Sequence, residues 1–164
     1  MLLNLVTPDL ALDRLDDLTL ADLEERKLTS LLLDLDGTLK DHYAPVLSDN
    51  AAAWVRSMRA GGIRLCIVSN GRRPYVEKFA GQLEIPFIGQ ARKPLVGGCR
   101  AALALAQFEP AETALVGDQL FADVLVGRRL GIYTIVVRPI NTSEPWHTRL
   151  KRPIERWILS RLLL

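Results

Sequence analysis

The chain has 164 residues, 49% of them hydrophobic, 24% charged and only 6% aromatic, which fits one globular domain with an aliphatic core and leaves little room for two. A net charge of +2, with no run of like charges in mid-chain, argues against nucleic acid as a partner, and no apolar run approaches the roughly 18 residues of a membrane span. The N-terminus has neither a basic nor a long apolar leader, and Cys66 and Cys99 lie in apolar surroundings without metal-ligand spacing; both point to a cytoplasmic protein with reduced core thiols.

Residues 1–29 form a lead-in of mixed Leu and Asp with one capped helix, from Thr19 to about Lys27. The apolar run Leu31-Leu32-Leu33 reads as a buried strand that stops at two carboxylates, Asp34 and Asp36, followed by Gly37 and Thr38. An irregular piece, 39–47, leads to the N-cap cluster Ser48-Asp49-Asn50 and a helix ending at Gly61-Gly62. A second strand, Ile63 to Val68, ends in Ser69-Asn70-Gly71 and is followed by a helix over 73–83 and a short strand over 86–88. A helix is expected to start at Pro94, just after Lys93, where its N-terminus would add the pull of its dipole on an anion. Thr113 to Val116 is a strand closed by Gly117-Asp118, 121–130 is helical, and Ile132 to Val137 is the last strand.

This alternation predicts an α/β domain over 30–140, a three-layer Rossmann-like sheet of five parallel strands with helices on both faces. Charge is unevenly spread. Residues 1–30 hold seven acids against Arg14, Arg26 and Lys27, whereas the last thirty hold six Arg or Lys against Glu144 and Glu155. The segment 141–164, with Trp157 and several arginines, reads as a basic amphipathic helix that either packs on the domain or touches a membrane surface.

Polar residues gather at the strand ends: Asp34, Asp36 and Thr38, then Ser69 and Asn70, then Lys93, then Asp118 and Asp123. In open α/β sheets this edge is where ligands bind, and several buried carboxylates there require a cation. One carboxylate can attack phosphorus, a second can protonate the leaving oxygen and later activate water, and Mg²⁺ on oxygen ligands neutralises charge. Ser69 and a lysine can bind phosphoryl oxygens. Each residue also has a plainer reading: an Asx turn for the Asp pair, a helix cap for Ser69, a solvated charge for Lys93, a surface helix position for Asp123. Arg72 and Arg73 can meet a second phosphate or simply face solvent, and His42 and Tyr43 can touch substrate or pack in their loop.

Asp34-Leu35-Asp36-Gly37-Thr38, Ser69, Lys93-Pro94 and Gly117-Asp118 with Asp123 resemble, in order and spacing, the four motifs of haloacid dehalogenase (HAD) superfamily phosphatases. The resemblance implies Asp34 as nucleophile and Asp36 as general acid/base. Mg²⁺ would be held by Asp34, the Asp36 carbonyl and Asp118, with Asp123 as a further metal or supporting residue. Phosphate would be held by Thr38, Ser69, Asn70 and Lys93. Val68-Ser69-Asn70-Gly71, Gly117-Asp118-Gln119-Leu120-Phe121 and the ending 135–140 look like the YqeG-like subclass IIIA branch, which includes phosphatidylglycerophosphatases; Gly37 departs from that branch's commoner Asn. The gaps after Thr38 and after Ser69 each accommodate about one helix, so no cap domain is expected and the site should be open.

The expected function is therefore a Mg²⁺-dependent phosphomonoesterase, with phosphatidylglycerophosphate as the leading substrate and soluble sugar phosphates or a phosphoprotein as alternatives. A different class, a phospho-accepting receiver switch, also places Asp, Ser/Thr and Lys at strand ends. Asp36 two residues after the nucleophile and the late Gly117-Asp118 favour the enzyme.

Overall fold

Leu31, Leu32 and Leu33 bury both faces of their strand completely, which only a central strand with a layer on each side can do. In the computed structural model, which describes residues 5–140, that strand is the middle of a parallel six-stranded sheet. The strands are β1 (Leu10–Leu12), β2 (Ser30–Leu33), β3 (Arg64–Val68), β4 (Phe87–Ile88), β5 (Thr113–Gly117) and β6 (Tyr133–Val137), in the order β1-β6-β5-β2-β3-β4. The helices are α1 (Leu20–Glu25), α2 (Asp49–Ala60), α3 (Arg73–Leu83), α4 (Gly97–Ala106) and α5 (Leu125–Leu130).

The two faces are read directly from the strand period of two. Leu31 and Leu33 join Trp54, Val55 and Met58 of α2 and Val76 and Phe79 of α3 in one core. Leu32 points the other way, to Cys99 and Ala102 of α4 and Val126 of α5. Both cysteines are buried free thiols, and burial pushes Cys66 up to about 12 and Cys99 to about 11, so both stay protonated.

From β2 the chain winds outward to β3 and β4, then returns to the other side of β2 for β5 and β6, whose outer edge the N-terminal β1 already occupies. The winding direction therefore reverses between β2 and β5, whose register pairs Leu33 with Val116. Their carboxyl ends open a crevice at that switch point. It sets Asp34, just past β2, beside Asp118, just past β5.

Three expectations are corrected. The sheet has six strands, because Leu10–Leu12 adds to the β6 edge. Three half-buried residues carry no visible periodicity; the tie is long-range, with Asp9 Oδ2 accepting from Thr134 N at 2.8 Å and Oδ1 pairing with Arg128 at 2.8 Å. The helix expected at Pro94 starts at Gly97, because Asn70 grips the backbone of Lys93 and holds the segment ahead of the helix in a turn. Lys93 thus lies four residues before the helix, and the dipole argument for it lapses. The helix over 121–130 opens with a wide π-helical turn, Leu120–Val124, before α5. Between β2 and β3 stand only a loop and α2, and between β3 and β4 only α3, so neither gap holds a cap. Among the described residues no helix is long and apolar enough to cross a membrane; the basic segment 141–164 lies outside them.

Candidate active site

The crevice is lined by side chains that leave the sheet as each strand ends. The Asp34 N–H still belongs to the ladder, donating to Val116 O at 2.9 Å, so its carboxylate is fixed at the last sheet position and is only 6% exposed. Gly37 follows with φ +88°, a conformation L residues rarely adopt, and a Cβ there would lie 2.5 Å from Asp118 Oδ2. A glycine at this turn lets the Asp118 carboxylate approach the backbone. Gly117 plays the same part for Asp123, whose carboxyl group occupies the space a Cβ would need. Asp123 Oδ2 accepts from Gln119 N at 3.1 Å, and the π-helical turn lets this side chain fold back beneath β5.

Asp34, Asp118 and Asp123 are all buried, and each offers a carboxylate oxygen within 4.8 Å of the others. Lys93, itself buried, donates to Asp34 Oδ1 at 2.7 Å and to Asp123 Oδ1 at 2.6 Å. Two of the three carboxylates thus share one ammonium. Burial, together with Asp123 and Asp36 and against the pull of Lys93, pushes Asp34 up to about 7. Burial would lower Lys93, but Asp123 and Asp34 outweigh it and hold the ammonium above its ordinary range. A cluster of hard oxygen donors with excess negative charge fits a divalent cation such as Mg²⁺.

The other sequence-nominated residues surround this cluster. The Thr38 hydroxyl is completely buried and has no hydrogen-bond partner among the described residues. Ser69 is buried, and its Oγ accepts from Gly71 N at 3.0 Å. Asn70 has a use its position did not suggest: its Oδ1 accepts from Lys93 N at 2.7 Å and its Nδ2 donates to Lys93 O at 3.1 Å. It braces the lysine. Arg72 and Arg73 are exposed, the Arg73 guanidinium lying over the Phe87 ring, and Tyr43 is an exposed loop residue.

Asp36 lies outside the cluster, with its side chain 21% exposed, and it brings in two residues that sequence reasoning missed. Its Oδ1 accepts from Tyr75 Oη at 2.5 Å and from Lys40 Nζ at 3.1 Å. The available signal was a lysine following Leu39, four residues after Asp36, in a stretch read only as irregular.

The haloacid dehalogenase-like hydrolase model matches residues 11–131. The chain belongs to this family. It is 36% identical over 162 residues to "Probable phosphatase YqeG" of Bacillus subtilis, covering 99% of this chain and 94% of that one. It is 29% identical over 168 residues to "Phosphatidylglycerophosphate phosphatase 1, chloroplastic" of Chlamydomonas reinhardtii, covering 96% of this chain but 62% of that protein. Among solved structures, the 3-deoxy-D-manno-octulosonate 8-phosphate phosphatase from Moraxella catarrhalis, in complex with magnesium ion, phosphate ion and KDO, superposes with a TM-score of 0.51 at 15% identity, over 87% of this chain and 92% of that one. That likeness is one of fold. Within the family this protein is a phosphatase.

Proposed function

We propose that this phosphatase cleaves phosphomonoesters through an aspartyl-phosphate on Asp34, and that phosphatidylglycerophosphate is its substrate. The observation that carries the reading is the group of three buried carboxylates, two of them paired with Lys93, at the switch point of the sheet. Asp34 and Asp118, with the Asp36 carbonyl, would hold Mg²⁺, and Asp123 would support it. When bound, the ion neutralises phosphoryl charge and favours the ionised form of Asp34.

An Asp34 oxygen attacks phosphorus and the ester P–O bond breaks, while Asp36 gives its proton to the departing alkoxide. Water then attacks the same phosphorus, Asp36 takes its proton, and inorganic phosphate leaves with Asp34 regenerated. Lys93, Ser69 and Thr38 supply donors for the phosphoryl oxygens; the unspent Thr38 hydroxyl supports its part. Asn70 contributes through its hold on Lys93, and its second amide hydrogen is left for phosphate.

The lipid substrate is supported by the Chlamydomonas relative and by the absence of a cap in either gap. An uncovered site must exclude water with the substrate itself, which suits a headgroup presented at a surface. The protein would then work in the cytoplasm, meeting the membrane peripherally through its basic segment 141–164. The test is phosphate release from phosphatidylglycerophosphate in vesicles, with Mg²⁺, for wild type and Asp34→Asn. Turnover that falls at least about 10³-fold in the variant is expected. Turnover undiminished in Asp34→Asn removes the nucleophile, and a clear preference for soluble sugar phosphates or a phosphoprotein overturns the substrate.

A further inference from the structure

Lys40 is among the largest completely buried side chains in the described residues. Its ammonium lies 5.4 Å from the Tyr75 ring centroid and 5.3 Å from that of Phe79, so it is walled by apolar surface. A lysine here loses its hydration, and it is compensated by four acceptors: Asp36 Oδ1 at 3.1 Å, Tyr75 Oη at 2.8 Å, Asp41 O at 2.5 Å and His42 O at 3.3 Å.

Tyr75 completes the arrangement from another element. It sits in the first turn of α3, its ring edge-on to Phe79 at 5.1 Å, and its hydroxyl takes a hydrogen bond from Lys40 while giving one to Asp36. Gly71 makes room for it, since a Cβ there would lie 2.9 Å from the Tyr75 ring. Burial and the bond to Asp36 push the phenol well above its ordinary range, so it remains a donor. Both donors meet the same carboxylate oxygen of Asp36.

We propose that Lys40 and Tyr75 are positioning residues: by gripping Asp36 through Oδ1 they fix its rotamer and leave Oδ2 as the oxygen that delivers the proton to the leaving group. The Lys40 bonds to the Asp41 and His42 carbonyls anchor the start of the loop that follows it. This inference rests on the phosphatase reading with Asp36 as acid.

Leaving-group dependence tests it. Esters of acidic phenols depart without a proton, whereas phenyl and alkyl phosphates need one, so a displaced Asp36 hurts the second group selectively. The measurement is kcat/KM of the full chain with Mg²⁺ on p-nitrophenyl, phenyl and alkyl phosphates, for wild type, Tyr75→Phe and Lys40→Met, with the melting temperature of each. We expect kcat/KM for the alkyl ester to fall about 10-fold or more beyond any fall for p-nitrophenyl phosphate, steepening the dependence on leaving-group pKa. A uniform fall across the series tracking a lowered melting temperature makes the pair a structural tie and overturns the proposal, as does no fall in Tyr75→Phe, the milder variant. Wild type without Mg²⁺-dependent turnover, or Asp34→Asn as active as wild type, defeats the phosphatase reading itself and the proposal with it.

Discussion

Two acidic clusters share this crevice and solve the problem of a buried charge differently. Around Asp34, three buried carboxylates gather, and two of them, Asp34 and Asp123, share the ammonium of Lys93. Around Asp36, one partly exposed carboxylate has a buried lysine and a phenol to itself. Two carboxylates on one ammonium leave the first net negative, a demand that a cation would meet; the second is balanced within the chain. The difference would suit the roles proposed for the two: a metal-assisted nucleophile needs an unfilled electrostatic demand, whereas a proton carrier needs a fixed orientation.

The contrast can be broken most directly by removing each lysine in turn. Lys93→Met strands Asp34 and Asp123 in a dry site, and denaturant unfolding without Mg²⁺ should show a loss of ~3–5 kcal/mol. Lys40→Met should lose clearly less, because Asp36 keeps solvent and Tyr75. The reverse order would mean that the Asp36 cluster is the electrostatically demanding one.

Next in size is a pH effect belonging to the first cluster. Asp34 is raised from 3.8 to about 7 by burial, against Lys93 and with Asp123 and Asp36. A carboxyl raised on folding favours the native state while protonated, so its contribution is complete below about pH 4 and is lost as pH rises through about 7. In chelator, wild type should therefore lose up to about 4 kcal/mol relative to Asp34→Asn across that window, at 1.36 kcal/mol per pKa unit. Mg²⁺ should restore it. Parallel stability curves for the two proteins would show that Asp34 carries no such demand.

The smallest effect sharpens the role of Asn70. Asn70→Ala removes two hydrogen bonds to the Lys93 backbone and should cost about 1–2 kcal/mol, with activity reduced but still dependent on Mg²⁺. Activity lost as fully as in Asp34→Asn would instead assign Asn70 a direct part in the chemistry.

What could be read from the chain alone was whatever a strand and its following turn encode locally. Each buried run ends in its own polar residues, so Asp34, Ser69 and Asp118 could be nominated at the carboxyl edge before any contact was known, and the βαβ rhythm implied a parallel sheet. Three kinds of feature could not be read this way. β1 is three residues long and exists through contacts with β6 more than a hundred positions away, where Asp9 meets Thr134. The late start of α4 depends on Asn70 holding Lys93 across 23 positions. Lys40 gains its significance only because folding encloses it with Tyr75 and Phe79, 35 and 39 residues further on. Local pattern determined which residues stand at the edge of the sheet, because hydrophobic period and turn chemistry act over a few residues. Which charge faces which was decided by tertiary packing, because burial and electrostatic pairing depend on distances that no local window contains.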